Sequence, residues 1–382
     1  MDLLEYQGKE LFAGHGVPVP KGGHATSVEE AVAVAEGLGY PCVIKAQVRI
    51  GGRGKAGGIK VAKDVDEARA HADAILGMDI KGFTVEEVWV EEASEIAAEH
   101  YASIILDRGA KKLLAMVTRM GGMDVEVVAE SDPDALVRRH LDPRTGMTAE
   151  IGRELAGEAG IDEDVRDQVA EMLVKLHEVA TSDDATLIEV NPLIVTADRR
   201  VVALDSKVTI DGNALFRHAG LAELDDAGTE DPQERMAKEK GITYVKLDGD
   251  IGILGNGAGL CMSTLDVVAQ AGGAPANFLD AGGGSKAEAI VSAVEVILSD
   301  PKVTAVLFNI FGGITRCDEI AKGIIEASKQ IDLDVPMVIR LDGTNSEEGL
   351  ALLAEANLPG LHQEKTMLAA AERVVELSKG AS

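Results

Sequence analysis

The apolar positions change their period partway along the chain. Up to residue 223, short runs rich in β-branched residues follow one another closely: PCVIKAQV (41–48), IKVA (59–62), VEEVWVEE (85–92), ASIILD (102–107) and KLLAMVT (112–118). Turns such as DRGAK separate several of them, which is hairpin spacing. Helical periods bracket these runs at 4–14, 28–37, 65–77 and 162–180. The first half therefore predicts an α+β, largely antiparallel domain. From residue 250 the pattern alternates strictly, with strands at 250–254, 276–280, 303–310 and 335–341 and helices at 259–271, 286–298, 315–329, 346–357 and 366–379. Such alternation predicts a doubly wound parallel sheet, and right-handed crossovers bring its strand C-termini to one edge, where ligands bind. Glycine marks each strand end there: GNGAG (255–259), AGGG (281–284), FGG (311–313) and DGT (342–344). Between the halves, LDDAGTEDPQERMAKEKG (224–241) has charges, Gly and Pro but no apolar period. The boundary is placed near residue 238, giving domains 1–238 and 239–382.

Composition narrows the classes. With 382 residues, 46% hydrophobic and 27% charged, the chain can build two or three cored domains and is not a disordered protein. Its longest apolar stretches, such as VTAVLFNIF (303–311), fall far short of the ~20 residues that cross a bilayer. The N-terminus MDLLEYQGKELF lacks the layout of a secretory signal, so a cytoplasmic location is expected. Asp and Glu number 65 against 37 Lys and Arg, a formal charge of -28 that repels nucleic acid and anionic membranes. The acidic residues are spread along the chain, which suits general solvation and, as a hypothesis, a salt-rich cytoplasm. Cys42, Cys261 and Cys317 lie far apart with no CxxC pair, which excludes disulfide and zinc-finger frameworks.

Several segments carry candidate chemistry. VIKAQVRIGGRGKAGGIKV (43–61) reads as strand, glycine loop and strand, with Lys45 in the first strand and Arg53 and Lys55 in the loop. Glycines let backbone N–H groups approach anionic oxygens, so the segment suits a phosphate cradle; a basic hairpin tip is the plainer reading. It is not a Walker A loop, because Ala56 stands where a Ser or Thr hydroxyl is needed and a strand follows instead of a helix. LIEVNPLIVTADRRVVALDSK (187–207) reads as two strands turning near Asp198, which sets Asn191 beside Ser206, one residue from Asp205. An amide oxygen and a carboxylate brought together suit Mg²⁺, and Glu189 shares the face of Asn191; an ordinary hairpin with a polar open end remains the alternative. Glu91, Glu92, Ser94, Glu95 and Glu99 crowd one strand end, either a solvated acidic face or a seat for an adenine edge and a ribose. GNGAGL has Leu260 where a dinucleotide fingerprint needs glycine, which disfavours a nicotinamide oxidoreductase. In FGGITRCDEIAKGI the glycines precede a helix whose N-terminus favours an anion, unless it is a plain βα turn. The eight histidines form no ligand pair or triad spacing, and no GxSxG elbow occurs. Phosphate-binding equipment is thus present without an evident nucleophile.

Seven segments in one order, MDLLEYQGKELFAGHGVPVP, IKAQVRIGGRGKAGG, LIEVNPL, DGNALFRH, GNGAGL, PANFLDAGGG and FNIFGGITRCDEIAKGI, resemble the succinyl-CoA synthetase β-subunit family from end to end. The resemblance implies an N-terminal ATP-grasp domain followed by a flavodoxin-like, doubly wound domain, in a subunit working with a separate α subunit, as an α2β2 heterotetramer. By motif, Lys45, Gly52, Arg53 and Gly54 match the nucleotide phosphate contacts, and Glu91, Ser94 and Glu99 the adenosine-side contacts. Asn191 and Asp205 match the Mg²⁺ ligands, and Asn256, Gly313, Ile314 and Thr315 the substrate and phosphate site. Ser94 stands where relatives often have Thr, and Thr315 where some have Val. The implied reaction joins succinate and coenzyme A with cleavage of ATP or GTP, reversibly, through succinyl phosphate and a phosphohistidine. That histidine belongs to the α subunit, so no catalytic residue is expected in this chain. A malate–CoA ligase β subunit and a non-catalytic nucleotide-binding subunit are the alternative readings.

Overall fold

The computed structural model describes residues 1–224, 231–282, 284, 287–331 and 334–380. Gly283 of the AGGG run, residue 286 of the expected helix 286–298 and part of the expected linker lie outside them. The chain divides into two compact units, Met1–Asp225 and Asp226–Ser382.

The first unit holds two larger antiparallel sheets and a small two-stranded one, Asp79–Ile80 with Phe83–Thr84. One runs in the order Gly22–Ala25, Val88–Glu92, Cys42–Ala46, Ile59–Ala62. Helices Val28–Leu38 and Val65–Ile75 pack on it, started by Ser27 and Asp64, whose side chains accept from the N–H groups of Glu30 and Glu67. Their buried positions are mostly alanine (Ala31, Ala35, Ala68, Ala72), which lets them lie close over Ile44 and Val90. The other sheet has six strands, in the order Val201–Ala203, Ala185–Thr196, Ile96–Asp107, Lys112–Thr118, Val137–His140, with Lys207–Ile210 also paired to Ala185–Thr196. Helix Arg166–Ser182 buries Val169, Leu173 and Leu176 in the core under this sheet. Its neighbour, helix Ala149–Glu158, was not expected from the sequence. Only Ile151 and Leu155 are large and apolar in it, and it approaches through Gly152, whose added Cβ would lie 2.9 Å from the Ala170 Cα. The opening helix, Glu5–Gly14, buries Glu5, Lys9 and Phe12.

The second unit is a six-stranded sheet ordered Thr243–Lys246, Asn277–Asp280, Ile251–Gly255, Ala305–Gly312, Met337–Gly343, Leu361–Gln363. Five strands are parallel, as the alternation predicts, while Thr243–Lys246 runs antiparallel to Asn277–Asp280 at one edge. That strand enters directly from helix Pro232–Glu239 without a crossover. The helix buries Ala237 in the second unit's core beside Tyr244, so the boundary expected at residue 238 falls inside an element of this unit. One small buried residue on an otherwise polar helix leaves no apolar period to read. Among the described residues no helix is long and apolar enough to cross a membrane.

Candidate functional site

Lys45, Arg53, Glu91 and Asp205 converge in the first unit, joined by two residues that the motif reading missed. Glu5, the first residue of its helix, receives Lys9 at 2.7 Å and Lys45 at 2.8 Å on Oε1, and Arg53 on Oε2. Glu91 receives Lys45 at 2.6 Å on Oε1, and Lys9 and the Trp89 indole N–H, at 2.9 Å, on Oε2. Lys45 also donates to the Leu204 carbonyl at 2.9 Å, and Arg53 to Asp205 Oδ1 at 2.9 Å. Three cations thus meet three carboxylates, the pairing that makes buried charge tolerable. Burial works against ionisation of Glu5, but the charges of Lys45, Lys9 and Arg53 outweigh it and hold its carboxyl well below the usual range. Lys45 and Arg53 likewise overcome burial through the Glu5 carboxylate and stay protonated. Asp205 differs: burial and the Glu5 charge push its pKa up, and Arg53 and Lys45 offset this only in part. Its side chain is 32% exposed, against 1% for Glu5. The signal for the missed pair lies in helical spacing, since Glu5 and Lys9 share the inward face of Phe12 at i, i+4 and i+7.

The metal candidates sit on the hairpin from 185 to 210. Its register pairs Leu193 with Ala203 and Glu189 with Lys207, which places Asn191 opposite Asp205 itself and not opposite Ser206 as expected. Between these pairs the ladder opens, with the Leu204 N–H donating to the Pro192 carbonyl at 3.2 Å. Asn191 Oδ1 accepts the Gly122 N–H at 2.8 Å and its Nδ2 donates to the Met123 carbonyl at 2.9 Å, leaving the oxygen's second lone pair. Glu189 turns to the Tyr101 hydroxyl at 3.2 Å, and burial raises its pKa. A partly open carboxylate on a residue set opposite an amide in the register is a hard donor set that fits Mg²⁺, which takes one or two protein ligands and leaves the rest to phosphate and water. Among the described residues no three His, Cys, Asp or Glu side chains cluster as a self-sufficient metal site.

The glycine loop between Ala46 and Ile59 closes on itself, the Gly58 N–H donating to the Arg53 carbonyl at 2.9 Å and Ala56 to Gly52 at 3.1 Å. Gly52, at φ +88°, and Gly54 form its outer turn, and Arg53 points inward between them. Lys55 stays out in solvent and pairs with Asp124 at 2.8 Å. Glu91 is fully buried and committed to Lys9, Lys45 and Trp89, whereas Ser94 is half-buried and Glu99 exposed. Glu99 lies over Gly122, where an added Cβ would come within 2.4 Å of its carboxylate.

In the second unit the strand ends carry the remaining candidates. The Asn256 amide clamps the chain at Phe311, donating to its carbonyl and accepting its N–H, both at 2.9 Å. Thr315 is buried, its hydroxyl accepting the Gly284 N–H at 2.9 Å and its carbonyl the Gly313 N–H at 3.1 Å. Thr315 and Asn256 thus shape the strand ends, and Gly313–Ile314 forms the outward tip: Ile314 is 89% exposed and a Cβ on Gly313 would meet nothing within 4 Å. The helix begins at Cys317, later than expected, and its first N–H is taken by the Thr344 carbonyl at 3.0 Å. Four histidines pair with carboxylates: His15 with Asp183, His24 with Glu87, His140 with Asp107 and His218 with Asp184.

The ATP-grasp domain family matches residues 2–195 and the CoA-ligase family residues 254–374. The ADP-forming succinate–CoA ligase subunit beta of Rubrobacter xylanophilus is 51% identical over 379 residues, 99% of both chains. Its counterpart in Natronomonas pharaonis is 51% identical over 380 residues, again 99% of both. Among solved structures, the ATP citrate lyase of Methanothrix soehngenii, in complex with citrate and coenzyme A, superposes with a TM-score of 0.74 over 98% of this chain and 99% of that one; at 18% identity the likeness is one of fold. With an ATP-grasp domain, a CoA-ligase domain and relatives of this identity along its whole length, the chain belongs to the succinate–CoA ligase β-subunit family.

Proposed function

We propose that this chain is the nucleotide-grasping subunit of an acid–thiol ligase that joins succinate and coenzyme A as ATP is cleaved to ADP and phosphate, reversibly, in an α2β2 assembly in the cytoplasm. The observation that carries the reading is the buried cluster in which Lys45 and Arg53 are held beside Asp205. Two cations fixed in advance stabilise charge on a transferring phosphoryl group without reorganising at the moment of reaction. Asp205 and Asn191 would hold Mg²⁺, which when bound neutralises charge on the nucleotide phosphates. Gly52 and Gly54 give the loop its close approach, and Ser94 and Glu99 face the adenosine. Glu91, whose carboxylate is already committed, acts from beneath by fixing Lys45. ATP is preferred to GTP in this reading because both full-length relatives are named ADP-forming.

In the second unit the Gly313–Ile314 tip, backed by Asn256 and Thr315, meets the carboxylate substrate and the phosphoryl group. The α subunit supplies the histidine that becomes phosphorylated and most of the coenzyme A site. An assay of this chain with an α subunit, comparing succinate with malate and ATP with GTP, tests the proposal. The expected result is acyl-CoA formation fastest with succinate and ATP; a preference for malate, or no turnover with any pair, would contradict it.

A further inference from the structure

Helix Glu5–Gly14 carries none of the residues assigned above to nucleotide, metal or substrate, yet its first side chain lies at the centre of the charged cluster. Among the described residues, the Glu5 carboxylate is the side chain that contacts both Lys45 and Arg53, one on each oxygen. It is buried too deeply to meet a ligand, with 1% of its side chain exposed. The helix that carries it is fixed against two segments. The Ser206 hydroxyl donates to the Glu5 carbonyl at 2.7 Å, the Tyr6 N–H donates to Gln47 Oε1 at 3.1 Å, and Gly8 lies so close to Ser206 that an added Cβ would come within 2.5 Å of its Oγ. Ser206 in turn donates its N–H to Asp205 Oδ1 at 2.7 Å, so the same helix is tied to strand Cys42–Ala46 and to the Asp205 segment. Lys9, one turn on, bridges Glu5 and Glu91 and leaves Lys45 centred between two carboxylates instead of drawn to one.

We propose that Glu5 is a positioning residue: it aims Lys45 and Arg53 at the nucleotide phosphates without touching the nucleotide, and Lys9 holds its carboxylate in place. This rests on the nucleotide reading of the site. A carboxylate that merely added charge near the phosphates would repel them, and its removal would tighten binding. A carboxylate that aims two cations has the opposite sign, because without it each cation is free to turn to its remaining anion, Lys45 to Glu91 and Arg53 to Asp205.

The test is calorimetric binding of Mg-ADP and of adenosine to the full chain, unaltered and as Glu5→Gln and Glu5→Asp. Glu5→Gln is expected to weaken Mg-ADP by about tenfold or more, the loss of a charged hydrogen-bond anchor, and to leave adenosine within about twofold. Glu5→Asp, which keeps the charge and withdraws the carboxylate by one methylene, is expected to show the same phosphate-selective loss, and it decides the matter should Glu5→Gln fail to fold. Unchanged or tighter Mg-ADP binding in the folded variants, or an equal loss for adenosine, would overturn the role of Glu5. Failure of the unaltered chain to bind Mg-ADP would instead remove the reading of the site on which it rests.

Discussion

At Asp205 two demands meet in one carboxylate, which is paired with Arg53 at 2.9 Å and is also the most open acid of the cluster. Because Arg53 keeps Glu5 as a partner, Asp205→Ala should leave the fold standing while abolishing turnover, as activity and thermal melting measured together would show; a fully active variant would refute its role as a metal ligand. Gly8 makes a second prediction. Its replacement by Ala drives a Cβ to 2.5 Å from Ser206 Oγ and 3.2 Å from Ser206 Cβ, so Gly8→Ala should cost about 1–3 kcal/mol in urea denaturation and raise the KM for nucleotide. Gly14→Ala, in the same helix with nothing within 4 Å of the new methyl, should be neutral or slightly stabilising. Lys45, Arg53 and Asp205 stood out as candidates in the sequence because cations in and beside a glycine loop, and a carboxylate closing a hairpin, are patterns with few uses. Glu5 and Lys9 did not, since charged helix residues ordinarily face water and only their tertiary partners make burial tolerable.

The elements were legible in proportion to how much apolar surface each buries. Parallel strands covered on both faces read as continuous apolar runs, so the alternation of the second unit stood out, while the edge strand TYVK (243–246) is short and half polar and passed unread. Hairpin 185–210 was found, but its register was one residue off. The turn holds Arg199 at φ +62°, a left-handed position with no glycine to announce it, and so Asn191 faces Asp205. Helix Cys317–Gln330 yields a prediction in pH. Hydrogen bonding from Arg316 leads, against burial and with help from Lys322, in lowering the pKa of Asp318 from the model-compound range to about 2. A depressed carboxylate stabilises the fold above its unfolded pKa of about 3.9 and loses that contribution as pH falls toward the folded value. Melting temperatures of the unaltered chain and Asp318→Asn should therefore differ near neutrality and converge as pH drops from about 4 toward 2; a gap that stays constant would contradict the pairing.

Across the whole molecule, a formal charge of -28 sets the solution behaviour. Self-repulsion weakens the fold in dilute buffer, and screening to about 3 Å at 1 M salt relieves it, so the melting temperature should rise with salt; equal values in dilute and molar salt would count against adaptation to a salt-rich cytoplasm. The central claim is a division of labour: this chain grasps the nucleotide, and its partner carries the phosphoryl group. Incubation with radiolabelled ATP, alone and with an α subunit, tests it most directly. The account predicts no acid-labile phosphohistidine on the isolated chain and label on the α subunit alone in the mixture, whereas stable phosphohistidine on any of this chain's eight histidines would contradict it.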